Sequence, residues 1–277
     1  MNAITFDFAG VLTGQPGQWL LSGFLMTLYV TLVGSLVASV LAIVLLGLRI
    51  APSAPLRWIA EAIIEVFRNT PILVQFLFWY FAAYTALPLP VRDFITGNHP
   101  WAVLPVNNIL IAPEFIAAAW GLGIFAAAFL AEELRAGLNA VARGQREAAI
   151  SQGFSHWQTL RLILLPQALV NSWQPIVTQY LNLMKLSSLA SAISLAELTY
   201  QVRQIESYNA HAFESFAIGT LLYLALGLIL SWTLTALGPR RPGSRARIRP
   251  TAPADAAPAP LAQPAVAQPV SGGSHGG

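Results

Sequence analysis

Between Phe8 and Ile50 the chain carries one charge, Arg49. The apolar run inside that stretch, about Leu20–Leu48, is long enough to cross a bilayer with some tilt. Similar runs recur along the chain. Hydrophobic residues make up 56% of it and charged residues only 10%, against about 25% charged in an ordinary soluble domain. The mean hydropathy is +0.60. These features specify an all-α integral membrane protein.

About five transmembrane helices are expected. The first offers Gly34, Ser35, Ala38 and Ser39 for close helix contact. A second helix is expected from Leu56 to Leu87, interrupted at Pro71 and closed by Pro88 and Pro90. Residues 88–112 read as a proline-containing loop, partly re-entrant. The third span is about Pro113–Ala131, the fourth about Leu169–Leu195 and the last about Phe213–Leu237. The fourth is the most polar, with Asn171, Gln174, Gln179, Asn182 and Lys185. A charged loop, 132–166, precedes it, and a loop holding Glu197, Arg203 and Glu206 follows.

Charge then sets the orientation. With the segments 49–57 and 132–166 and the C-terminal tail on one side, Arg49, Arg57, Arg135, Arg143, Arg146, Arg161 and the tail arginines at 240, 241, 245, 247 and 249 gather there. Arg92 and Arg203 stay on the other side. Basic residues are retained in the cytoplasm, so the N-terminus is expected outside and the C-terminus inside. The domain plan is a periplasmic segment 1–19, a transmembrane domain 20–238 with a cytoplasmic loop at about 140–167, and a Pro/Ala-rich tail 239–277. The tail composition predicts disorder, and its arginines suit anionic membrane lipid. The first charge is Asp7, so no basic leader marks a cleaved signal peptide.

Several chemistries are excluded. Without cysteine there is neither a disulfide framework nor a thiolate metal site. His156 and His211 stand alone, so no metal site is expected. The sequence pI is near 9.5, but the basic residues are dispersed between apolar spans rather than gathered on one nucleic-acid-binding face. Fourteen of the 15 basic residues are arginine. The one lysine, Lys185, sits in L-N-L-M-K-L-S-S, without the Gly-rich turn of a phosphate-binding loop. ATP and Mg²⁺ are therefore expected on a separate subunit, with no cofactor in this chain. No nucleophile–base set stands out, so no catalytic residue is assigned and the chain does not read as an enzyme.

The loop from Glu147 to Pro166 reads E-A-A-I-S-Q-G-F-S-H-W-Q-T-L-R-L-I-L-L-P. Glu147 is expected to open a short helix, where the helix dipole favours a carboxylate. Ala148 and Ala149 keep its surface low, and Gly153 suits the left-handed residue that ends it. Ser155 and Gln158 match a capping box for a second helix, expected to stop at Pro166. The product is a helix-turn-helix elbow. A plain connecting loop lying on the membrane is the alternative.

The spacing of Glu147, Ala148, Ala149, Gly153, Ile163, Leu165 and Pro166 resembles the cytoplasmic coupling loop of ABC-importer permeases. F-R-N-T-P-I-L-V-Q-F (67–76), V-A-R-G-Q-R-E-A-A (141–149) and L-P-Q-A (165–168) are similar to signatures of the polar amino-acid permeases, and A-H-A-F-E-S-F (210–216) to glutamate/aspartate permeases. The resemblance covers about 20–238. It implies a type I ABC importer permease-like fold in the bacterial inner membrane, forming half of a translocation pathway. It further implies a dimer of ATP-binding subunits docked on the elbows, a second permease subunit (a paralogue rather than a copy), and a periplasmic amino-acid-binding protein. The implied substrate is glutamate, aspartate or another polar amino acid. An ion-coupled secondary carrier, which usually shows an internal repeat and mid-span acids, and an ABC permease for another solute class are the alternatives.

Within the spans, Glu61, Glu65 and Arg68 fall at i, i+4 and i+7, and Glu65 is placed to pair with Arg68. A structural ion pair is the bland reading. The functional one puts Arg68, Asn69, Thr70 and Gln75 along the substrate pathway around Pro71, where proline frees a carbonyl that protein or water must satisfy. Lys185 is costly in lipid unless it faces a cavity, finds a partner or snorkels. Ser187 and Ser188 match the hydroxyl pair of the resembled family, whereas Leu186 replaces its acidic or amide residue. Glu132 and Glu133 are expected to pair locally with Arg135.

Overall fold

The computed structural model describes residues 6–239; the Pro/Ala-rich tail and its arginines lie outside the described residues. A short helix α1 (Ala9–Leu12) leads through Gly14, at φ +62°, into α2 (Gly14–Arg49), which begins before the expected Leu20. Its 36 residues rise about 54 Å, well beyond the ~30 Å hydrocarbon core. The second crossing is broken as expected. α3 (Ala54–Asn69) ends before Pro71, and α4 (Ile72–Leu77) continues into a π-helical turn, Phe78–Ala83.

Residues 88–112 are more ordered than a loop. They hold α5 (Leu89–Thr96) and an antiparallel pair, β1 (Val103–Leu104) and β2 (Asn108–Ile109). α6 (Pro113–Asn139) runs past Ala131 into the charged loop. α7 (Arg143–Ser151) and α8 (His156–Gln158) form the elbow. A π-helical turn, Thr159–Leu164, then leads directly into α9 (Leu165–Leu186).

Pro166 therefore does not stop the helix. Its ring would meet the carbonyl four residues back, that of Leu162, which lies in the widened turn where the ordinary i→i−4 register is already interrupted. After α9 a 3₁₀ turn, Ser187–Ile193, ends at Ser194 in the left-handed region, φ 67°. The expected loop around Glu197, Arg203 and Glu206 is instead α10 (Leu198–Asn209), followed by α11 (Ala212–Leu237). α2, α6 and α11 are each long and apolar enough to span alone. The other two crossings are the broken α3–α4 and the more polar α9.

α6 occupies the centre, packed against α2 on one side and α9 on the other. It buries Ala117, Ala118, Ala119, Ala126, Ala127 and Ala128. Small residues let helix backbones approach where lipid supplies no hydrophobic drive between helices. Against α9 the approach leaves no room at Gly137, where an added Cβ would lie 2.5 Å from the Ala168 carbonyl oxygen and 2.8 Å from Ser172 Cβ. A second cluster, Val11, Leu20, Leu198, Val202, Ile205 and Ile218, ties α1 and α10 to the first turns of α2 and to α11.

α10 is fixed by its cap. The Glu197 carboxylate accepts from the backbone N–H groups of Thr199 (3.0 Å) and Tyr200 (2.9 Å), and the Tyr223 hydroxyl donates to it at 2.5 Å. Thr27 Oγ1 accepts from Leu198 N at 3.1 Å and donates to the Gly23 carbonyl. Glu197 is fully buried, and desolvation outweighs these donors, pushing its carboxyl from 4.5 up to about 7.

Two predictions follow from this packing. Gly137→Ala should destabilise the protein by about 1–3 kcal/mol through overpacking, since the Ala168 carbonyl is backbone and cannot swing away. Gly47→Ala, with nothing within 4 Å of the new Cβ, should change stability by no more than about 1 kcal/mol and in the favourable direction. Thermal unfolding in detergent separates the two. For Glu197, a folded pKa above the ordinary value means that its proton stabilises the fold. That contribution is full below pH 4.5 and is lost as pH rises through about 7. Glu197→Gln should therefore flatten the decline of unfolding temperature between pH 5 and pH 8; an unchanged slope would contradict the assignment.

Candidate functional site

The elbow is built by local backbone chemistry. α7 starts at Arg143, so Glu147 lies mid-helix rather than at its opening. Its C-terminus closes with two nested bonds, Phe154 N to the Ala149 carbonyl (3.1 Å) and Gly153 N to the Ile150 carbonyl (2.9 Å). That 6→1, 5→2 pattern requires a left-handed residue, and Gly153 supplies it at φ +85°. α8 opens with the expected capping box: Gln158 N donates to Ser155 Oγ (3.2 Å), and Ser155 N donates to Gln158 Oε1 (2.8 Å).

Of the seven elbow residues, Glu147, Ala148 and Gly153 lie exposed on α7 and its turn, and Ala149 is buried. Ile163 and Leu165 are half-buried in the helix beneath, beside an exposed Pro166. Two residues missed by sequence reasoning join them. Ile150 is 46% and Trp157 67% exposed, large apolar groups displayed on a polar loop. From His156 the helix runs unbroken to Leu186, about 45 Å of rise linking the elbow to the polar end of α9.

At the ends of the helices above the elbow, Arg49 binds Glu132 and also Glu61 (3.1 Å), and Glu132 holds Arg135 at 2.8 Å. The Glu132–Arg135 pairing was expected; Glu133 instead accepts from Gln179 Nε2 at 3.4 Å. This network joins α2, α3, α6 and α9. The expected Glu65–Arg68 pair does not form. Glu65 accepts from Asn69 Nδ2 at 2.8 Å, and the Arg68 guanidinium sits 5.3 Å from the Phe129 ring centroid, a cation–π geometry.

The pathway residues divide. Gln75 is buried, and its Nε2 donates to the carbonyls of Phe67 (3.1 Å) and Thr70 (3.0 Å). Phe67 is the residue whose carbonyl Pro71 leaves without a partner, so Gln75 repairs the break. Ser187 is also buried, donating to the Met184 carbonyl. Arg68, Asn69 and Lys185 are exposed, and Thr70 and Ser188 half-buried. Lys185 makes no ion pair among the described residues. α4 packs against the 3₁₀ turn, which brings the two interrupted crossings together.

Lys185 is one end of a stripe. Asn171, Gln174, Thr178 and Lys185 are exposed and Asn182 half-buried, at helical spacing along a single face of α9. The sequence showed their polarity but not their common face. Beyond the other end of the bundle a cavity of 350 Å³ is lined by Gln18, Ser22, Asn108, Glu114, Ser194 and Gln201. Two left-handed non-glycine residues, Val106 (φ 61°) and Ser194, border it. Among the described residues no His, Asp or Glu cluster is arranged to hold a metal ion.

Comparison with known proteins agrees with this arrangement. Over 228 residues, 82% of this chain and 89% of the relative, the chain is 32% identical to the glutamate/aspartate import permease protein GltJ of Escherichia coli. It is 34% identical over 229 residues, 81% of this chain and 94% of the relative, to the Bacillus subtilis protein named probable glutamine ABC transporter permease protein GlnP. Its fold matches a chain of an amino acid ABC transporter crystallised with histidines, with TM-score 0.67 and 29% identity, covering 84% of this chain and 98% of that one. Residues 39–242 match the family model that spans the broken second crossing, the elbow and the last helix. The chain therefore belongs to the family of binding-protein-dependent transport system inner membrane components.

Proposed function

We propose that the chain is the permease half of an ATP-driven importer for polar amino acids, glutamate or aspartate first among them. The elbow carries this reading: a capped, glycine-turned helix pair that displays Ile150 and Trp157 and is continuous with a polar spanning helix. Two ATP-binding subunits, holding the ATP and Mg²⁺, dock one on each elbow, and this chain performs no catalysis. The N-terminal segment 1–19 faces the periplasm, where an amino-acid-binding protein delivers substrate; the elbow and the tail from 239 face the cytoplasm.

The uncovered stripe on α9 supports a second permease subunit. A row of amides and an ammonium is costly against lipid and tolerable against water enclosed by another chain. The relatives named for glutamate and aspartate favour a paralogous partner and an acidic substrate. Arg68 and Lys185 are exposed cations suited to a side-chain carboxylate. ATP-driven closure pulls α7, and the unbroken helix from α8 through α9 carries that displacement to Lys185 and the 3₁₀ turn.

Reconstituted vesicles loaded with ATP test the reading. Gly153→Asp forces an L-residue into a left-handed turn. It should strip the ATP-binding subunit from the purified assembly and lower glutamate uptake at least about ten-fold, a loss of roughly 1.4 kcal/mol or more in coupling. Lys185→Ala should keep the ATP-binding subunit and lower uptake of glutamate more than that of glutamine. Uptake by the wild type from an ion gradient without ATP would overturn the proposal.

A further inference from the structure

Between the elbow and the ends of α2 and α6 lies a cleft of 1020 Å³. One wall is the elbow, with Arg143, Arg146, His156 and Trp157; the other includes Ile50 and Leu138 from the bundle. We propose that this cleft binds the phosphate headgroup of an anionic phospholipid from the cytoplasmic leaflet. The inference rests on the orientation and the elbow assignment above.

Charge accounting points to an anion. Arg135 also lines the cleft, but Glu132 neutralises it, and Glu61 and Glu132 are both committed to Arg49. Arg143 and Arg146 form no ion pair among the described residues, Glu147 on the same helix included. Two guanidiniums thus face one cleft uncompensated, in the fork geometry that suits phosphate oxygens.

The rest of the lining selects a lipid among phosphates. Val141, Leu160 and Leu164 add apolar surface beside Ile50 and Leu138, which a small hydrophilic ion does not need and the root of an acyl chain does. The bundle wall is the last turn of α2 with the turn Ile50–Pro52, and the end of α6. Both helices are long enough to span, so the cleft lies where they leave the membrane. Basic pockets at that depth hold anionic headgroups.

The test is native mass spectrometry of the assembled transporter, permease pair with ATP-binding subunits, released from mild detergent after incubation with phosphatidylglycerol or phosphatidylcholine. The wild type should retain phosphatidylglycerol preferentially. The double variant R143Q/R146Q should lose about thirty-fold of that preference, the share expected from two basic residues at a membrane surface, while keeping its ATP-binding subunits. R143K/R146K, which retains both charges, should recover most of it. Excess inorganic phosphate should leave the bound lipid in place. An absent preference in the wild type would overturn the proposal. Displacement by inorganic phosphate would reassign the site to a free anion. Loss of the ATP-binding subunits from R143Q/R146Q would place the arginines in subunit docking instead and leave the elbow reading standing.

Discussion

The closeness of α6 to its two neighbours governs the rest of the structure. Seven buried alanines and Gly137 let α6 sit between α2 and α9 with little side chain interposed. Only at that separation can Arg49, at the end of α2, reach Glu132, and Glu133 reach Gln179 on α9. Only there does the elbow emerge directly under the helices it is continuous with. In lipid such packing rests on van der Waals contact rather than on expelled water. One methyl group placed against the Ala168 carbonyl therefore disturbs more than local volume: it moves the platform that holds the polar network and the elbow in register.

Polarity inside the bundle falls into two kinds. Some groups are spent on structure. Gln75 completes the carbonyls that Pro71 exposes, Ser187 and Ser172 bond back to their own helices, and Ser39 meets Tyr180 at 2.7 Å. Others have no side-chain hydrogen-bond partner among the described residues: Asn171, Gln174 and Lys185 along α9, with Arg68 beside the break in the second crossing. A buried polar group must be bonded where it lies, so the first set follows from the fold alone. The second set is stable only if something outside this chain solvates it. Membership in a family of transport-system membrane components supplies the reason such a face exists.

The five crossings, the break at Pro71, the Gly153 turn and the Ser155 cap were legible because each depends on local chemistry: apolar length, a missing N–H, a left-handed φ, a side-chain oxygen at an N-terminus. The extension of α6 past Ala131 was hidden because its last turns are charged, and hydropathy marks the lipid boundary rather than the helix end. α10 was hidden because glutamate is an uncommon cap whose partner, Tyr223, lies on another helix. Pro166 misled because the π-helical turn that accommodates it has no simple residue signature. Gln75 was placed on the pathway by its position beside Pro71, and Ser187 by its match to the hydroxyl pair of the resembled family. Spacing cannot separate an inward face from an outward one where a helix is apolar all round.

The two ends of the bundle are held by different physics. Near Arg49 the joint is ionic and graded: Glu61, at 55% side-chain exposure, makes a pair of the kind that contributes about 0–1 kcal/mol, whereas Arg49 and Glu132 are largely buried against each other. Near Glu197 the joint is buried, with Thr199, Tyr200 and Tyr223 bonded to one carboxyl group and Thr27 accepting from the neighbouring Leu198 N–H. A dry, fully bonded cluster resists opening because every group released would be left unsatisfied. The sequence thus closes one end of the bundle with a shared arginine–glutamate network and the other around Glu197, the most buried carboxyl among the described residues.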